Sequence, residues 1–214
     1  MNYSKVIKNR RWRIVYMAIS FVWILMMFGA TPASASSTAP DRDKLVDRIL
    51  NAGPNAATEY AEMTPEEQAV VNEAFKTTRE EVSIEITPAT HSLAESVIGS
   101  SCKDATATVE GRSLVARTYL YRLEIEWCYN GSIVTEIKRD QIIAEVGPTP
   151  FWFYDGEVNS QTSGGVNDSQ YFHYTQGKFS YCPIPAQIGC LQSVQPWVEL
   201  TVKGDGTVSR RTSA

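Results

Sequence analysis

The sequence predicts an α+β protein, with an N-terminal helical segment packed on a mainly antiparallel β domain that is sandwich- or barrel-like. Three observations carry this. Apolar residues recur at helical spacing up to about residue 81, and beyond it they alternate with a period of two. Turn signals then divide the second part into short runs.

The chain opens with an export pattern. Lys5, Lys8, Arg10, Arg11 and Arg13 form a basic start, and Ile14 to Ala30 carries no charged side chain. Pro32 then precedes Ala33-Ser34-Ala35, small residues spaced for a signal peptidase. Basic, apolar and small-residue regions in that order are secretory. Residues 1–35 are therefore expected to be a signal peptide cleaved after Ala35, with an uncleaved N-terminal anchor as the alternative. Residues 36–40 read as a polar linker.

Cleavage there leaves 179 of the 214 residues, enough for one ordinary core that buries roughly 70% of the unfolded surface. It removes five of the 20 basic residues and none of the 24 acids, so 15 face 24 and the net charge is −9. A general nucleic-acid binder needs a basic footprint, and anionic lipid attracts basic segments; this chain offers neither. No nucleic-acid partner is expected, and membrane contact is expected only through an uncleaved leader.

Four cysteines in an exported chain read as two disulfides. Of the three pairings, the sequence-local one is expected: Cys102–Cys128 and Cys182–Cys190. Zinc would need ligands at short spacing, but there is no C-x-x-C and only two histidines, His91 and His173. No metal or cofactor is expected.

Residues 41–81 are expected to be helical. Leu45, Val46, Ile49 and Leu50 make an apolar stripe, and Asn51-Ala52-Gly53-Pro54 stops it. A further turn or two is expected over 56–63. Thr64-Pro65-Glu66-Glu67 is a capping box with proline at the first helical position. The helix it starts, with Val70, Val71, Ala74 and Phe75 on one side, should run to Arg79 or Glu80.

Residues 82–214 are expected to form the disulfide-stapled β domain. Val82, Ile84 and Ile86 alternate with Ser83 and Glu85, and a loop of Ser, Thr, Ala and Gly is expected next. In the run from Tyr119 to Cys128, Tyr119, Tyr121, Leu123, Ile125 and Trp127 share one face. Cys128 falls on the other, so its bond to Cys102 is expected to tie 103–118 across that face. Asn130-Gly131 signals a hairpin. A three-residue loop, Asn130 to Ser132, would pair Tyr129 with Ile133 and Ile125 with Ile137, keeping apolar residues together. Its cost is Glu126 facing Glu136. Strand-like runs follow at 141–146, 151–154, 171–174, 178–181, 197–203 and 207–210, with an exposed mobile loop expected over 159–170.

Catalytic signals are weak. Nucleophilic hydrolysis needs a positioned base and an orienting acid. There is no G-x-S-x-G, and His173, between Phe172 and Tyr174, is expected to pack or to cap a hydrogen bond. Asp155, Glu157, Asn159 and Asp168 lack the spacing of a calcium loop. No catalytic residue is assigned.

The aromatic runs are more informative. Phe151-Trp152-Phe153-Tyr154 places rings on both faces of one strand, and Tyr171, Phe172 and Tyr174 repeat the pattern. A ring on the face away from the core is available to stack on sugar or to anchor a protein. Trp152, Tyr154, Tyr171 and Tyr174 are thus the candidate ligand-binding residues of an exported, non-enzymatic binding module. Its expected partner is a cell-wall or extracellular polysaccharide, or a protein. One alternative is a secreted hydrolase of wall polymers using a carboxylate pair from Glu124, Glu126, Glu136 and Glu145. Another is an exported inhibitor or accessory protein presenting the Cys182–Cys190 loop, held rigid by Pro183 and Pro185.

Overall fold

The computed structural model describes residues 39–89, 100–184 and 189–213. The expected signal peptide, most of the expected linker, His91 and Pro185 lie outside the described residues. Among the described residues no helix is long and apolar enough to cross a membrane.

Helix α1 (Arg42–Ala52) starts at Asp41, whose carboxylate accepts from the Lys44 N–H, and buries Leu45, Val46 and Ile49. A 3-10 turn (Gly53–Asn55) and the short α2 (Ala56–Ala61) follow. The capping box then starts α3 (Pro65–Phe75). The Glu67 N–H donates to Thr64 Oγ1 at 3.3 Å, and the Thr64 N–H donates to the Glu67 carboxylate at 2.9 Å. Thr64→Ala removes that cap and is expected to cost about 1 kcal/mol, measurable as a lower urea midpoint with an unchanged slope.

α3 stops at Phe75, not at Arg79 or Glu80, and Arg79 already pairs with Arg112 in a strand. Arg and Glu favour helix in isolation, but here cross-strand pairing overrides that weak preference. The Thr77 backbone is held by the Gln192 side chain, which accepts from its N–H at 2.9 Å and donates to its carbonyl at 3.0 Å.

Two antiparallel sheets pack face to face. The first is a meander of β1 (Arg79–Pro88), β2 (Ser101–Arg112), β3 (Arg117–Tyr129) and β4 (Val134–Val146). The second contains β5 (Trp152–Gly164), β6 (Gln170–Tyr181), β7 (Gln192–Val194), β8 (Trp197–Lys203) and β9 (Val208–Thr212). Its order is β5-β6-β8-β9, with β7 paired to β6.

Between the sheets, Tyr119 stacks on Phe179 with centroids 4.6 Å apart, and the Tyr121 and Thr175 hydroxyls meet at 2.5 Å. Leu123, Ile125 and Trp127 are buried in the same core as Val198, Leu200 and Val202. The Trp127 indole N–H donates to the Lys203 carbonyl at 3.1 Å, so the polar edge of the largest core ring is satisfied.

The helices are tied to the sandwich through Phe151, where the chain passes from β4 to β5. Its ring lies 5.6 Å from Tyr60, 6.5 Å from Phe75 and 6.1 Å from Tyr181. Tyr181 donates from its hydroxyl to Asn72 on α3 at 3.0 Å. Phe151 has φ 71°, a left-handed conformation that costs a non-glycine residue on the order of 1–3 kcal/mol. Burial of the ring among three others offsets it.

The strands differ from expectation in four further respects. Residues 101–112, expected as a loop, are β2, an interior strand with Ala105, Ala107 and Val109 fully buried. Their small side chains alternate as a strand requires but bury too little area to stand out. The Cys102–Cys128 disulfide therefore joins two directly opposed residues of β2 and β3 and does not tie down a loop.

The β3–β4 hairpin pairs Tyr129 with Val134, across a four-residue loop. Asn130 Oδ1 closes that loop by accepting from the Ser132 and Ile133 N–H groups, both at 3.1 Å. Two register shifts follow, which set Glu126 opposite Arg139 and remove the like-charge pair of the expected register.

Residues 159–164, expected as part of a mobile loop, continue β5, and the turn to β6 spans only 165–169. β5 is an edge strand with both faces largely exposed here, so backbone pairing alone holds it and no apolar alternation marks it.

The second disulfide joins Cys182 and Cys190. The chain-entropy argument assigns about 3.5 kcal/mol to the 26-residue closure and about 2.5 kcal/mol to the 8-residue one. Reduction is thus expected to lower the denaturation midpoint sharply, with Cys102→Ala/Cys128→Ala costing more than Cys182→Ala/Cys190→Ala.

Candidate functional site

β8 shows how the sheet sorts its side chains. Val198, Leu200 and Val202 are fully buried, so Trp197, Glu199 and Thr201 take the opposite face. On β6, Thr175 and Phe179 point into the core, and Phe172, Tyr174 and Gln176 point away. Register aligns these outward residues in rows across the strands. One row is Gln161, Tyr174, Glu199 and Arg211, from β5, β6, β8 and β9. The next is Asn159, Gln176 and Trp197, and on the other side stand Ser163, Phe172, Thr201 and Ser209.

Three rings therefore share a twisted sheet face with amides, hydroxyls and one ion pair. Tyr174 and Trp197 lie on the diagonal between two rows, with centroids 5.7 Å apart and planes tilted by 35°. Both are half-buried. The Tyr174 hydroxyl donates to Gln176 Oε1 at 3.4 Å, and Arg211 lies 3.8 Å from the Glu199 carboxylate. The face thus combines apolar ring surface with donors and acceptors on rigid strands.

The four candidate residues do not form one surface. Tyr174 lies on this outer face. Trp152 is a correction: only 3% exposed, it sits in the core, its indole N–H donating to the Phe75 carbonyl at 3.0 Å. Its inward phase on β5 puts it beside Tyr181, where it joins helix to sheet. Tyr154, 37% exposed, packs its ring against Phe179 at 5.0 Å. Burial and the neighbouring Glu157 carboxylate push its hydroxyl pKa up.

Tyr171 reaches from the second sheet to the first, donating a short hydrogen bond to Asp140 on β4. His173, expected to pack or to cap a hydrogen bond, does both. Nearly buried, it holds Nδ1 2.7 Å from the other Asp140 oxygen and Nε2 3.2 Å from Ser160 Oγ. Burial alone would raise the Asp140 pKa, but the hydrogen bonds from His173 and Tyr171, with the charge His173 can carry, hold it below its ordinary 3.8. A carboxyl with a depressed folded pKa adds stability above its unfolded value, and that stability is lost as pH falls through the folded one. Stability is expected to drop below about pH 4, and Asp140→Asn should flatten part of that drop in acid titrations followed by circular dichroism.

The acids weighed for a hydrolase are spread over strands of the first sheet. Glu124 pairs with Arg122 at 3.2 Å and Glu145 with Arg117 at 3.1 Å, while Glu126 is buried and Glu136 lies beside Cys128. Among the described residues no group of three or more His, Cys, Asp or Glu is arranged to hold a metal.

Trp197 is the site residue that sequence reasoning passed over. The signal was present, since Trp197 occupies the polar phase of a strand whose apolar phase is Val198, Leu200 and Val202. No family model, curated protein or solved structure matches the chain.

Proposed function

We propose that this is an exported binding module, made with a signal peptide of residues 1–35, that takes polysaccharide on the outer face of its second sheet. The observation that carries the reading is the Tyr174–Trp197 pair, half-buried in the outward phase and surrounded by amide and hydroxyl side chains. A ring with one face open offers its π-surface to the C–H groups of a sugar, and adjacent amides can pair with its hydroxyls. Both rings stand on paired strands, so little freedom is lost on binding. Two disulfides fit an oxidising compartment outside the cytoplasm. The excess of acids favours neutral polymers over acidic ones.

The test is co-sedimentation of the oxidised protein, without residues 1–35, with insoluble neutral polysaccharides and isolated cell wall. Binding to at least one, lost in Tyr174→Ala/Trp197→Ala, supports the reading. Retention by none, with specific capture of a protein partner, would replace sugar by protein as the ligand.

A further inference from the structure

The margin between β4 and β5 carries a second arrangement that the binding face does not use. Ser160 lies opposite Thr175, and Thr162 opposite His173, so Ser160 and His173 share one face of the β5–β6 pair. Asp140 arrives from the other sheet. Three strands thus bring together the chain Ser160 Oγ, His173 Nε2, His173 Nδ1 and Asp140 Oδ1, with steps of 3.2 and 2.7 Å.

Its polarity follows from chemistry. An ionised carboxylate only accepts, so Asp140 accepts a hydrogen bond from Nδ1–H on one oxygen and from the Tyr171 hydroxyl on the other. In the neutral imidazole Nε2 is then bare, and the Ser160 hydroxyl donates to it. The tautomer is set by the carboxylate, and the ring is held by burial, with 7% of its side chain exposed. Ser160 itself is exposed on β5, which is an edge strand among the described residues. A buried, oriented base beside an exposed hydroxyl is the arrangement that activates a serine.

We propose that Ser160 is a nucleophile, with His173 as its general base and Asp140 as the positioning residue, and that this margin hydrolyses short-chain carboxylic esters. Ser160 Oγ attacks the ester carbonyl as its proton passes to His173 Nε2. The carbon–oxygen bond to the alcohol then breaks, and the alcohol leaves with that proton. Water, deprotonated by His173, attacks the acyl-serine and releases the carboxylic acid, returning the proton to Ser160. No co-reactant beyond water is needed. Exposure of Ser160, Thr162 and Ser163 favours a small acyl group that needs no enclosing pocket.

The test uses the oxidised protein with p-nitrophenyl acetate and a fluorophosphonate probe, read by absorbance and by mass spectrometry. The proposal expects one probe per chain, located on Ser160, and a burst of p-nitrophenol. Ser160→Ala, at an exposed site, should keep the fold and abolish both. His173→Gln should slow labelling roughly 10²- to 10⁴-fold. Asp140→Asn should lower kcat while leaving KM unchanged, a split that general loosening would not give. Absence of label on Ser160 in the unaltered protein, or ester hydrolysis undiminished in Ser160→Ala, would overturn it. The polysaccharide reading is untouched by either result, because its rings lie on the opposite face of the sheet.

Discussion

Trp152→Ala is expected to destabilise the protein by about 3–5 kcal/mol, the range for deleting a large buried ring. The indole is 3% exposed and lies 6.0 Å from Tyr119 and 5.7 Å from Tyr181. Its removal opens a cavity beneath the helices and leaves the Phe75 carbonyl without the N–H it now accepts. That carbonyl ends α3, so the loss should spread into the helical segment. Thermal unfolding would show a large drop in midpoint. Hydrogen exchange should show α3 opening more readily than β3. A Trp152→Ala protein as stable as the parent would mean that helix and sandwich are not joined through this ring. Weakened ligand binding by this variant would reflect unfolding and would not place Trp152 in the site.

The second large effect belongs to the outer face. Tyr174→Ala and Trp197→Ala should each weaken polysaccharide binding by about 2 kcal/mol, roughly 30-fold, as for central aromatic anchors. Neither ring is fully buried, and both stand opposite the core phase of their strands, so the thermal midpoint should move little. The two rings touch, and their effects should not add: the double variant should lose less than the sum. Isothermal titration with a soluble oligosaccharide checks both numbers. Full affinity in both single variants would remove the rings from the site.

What could be read from the chain was set by how strongly each segment declares its period. β3 alternates large rings with charged residues, and Thr64 to Glu67 spells its own cap, so both were legible. β2 alternates just as strictly, but with Ala105, Ala107 and Thr106, whose small side chains carry too little hydrophobic contrast. β5 beyond Tyr154 has no apolar phase at all, because an edge strand open on both faces has no core to match. The hairpin register could not be settled from local pairing, since the bulges in β4 answer to Arg139 opposite Glu126 and to Asp140 reaching His173.

The site was legible in part. Tyr174 was found because aromatic residues on both phases of a strand must leave one outside. The same rule placed Trp152 outside in error: β5 leaves Phe153 for solvent and turns Trp152 inward beneath the helices. The Ser160–His173–Asp140 chain was beyond the sequence, since its members come from three strands of two sheets and meet only through packing.

The most direct test of the binding face uses the three tryptophans that follow residue 35, at positions 127, 152 and 197. Trp127 and Trp152 are buried, and only Trp197 has its ring on the outer face. In a 15N-labelled protein each indole N–H gives its own resonance. Titration with an oligosaccharide of the retained polymer should shift the Trp197 indole, together with the backbone of Phe172, Tyr174 and Glu199, and leave those of Trp127 and Trp152 in place. Shifts centred instead on Tyr154, Ser160 and Tyr171, with Trp197 unmoved, would contradict the account and move the ligand to the margin between the sheets.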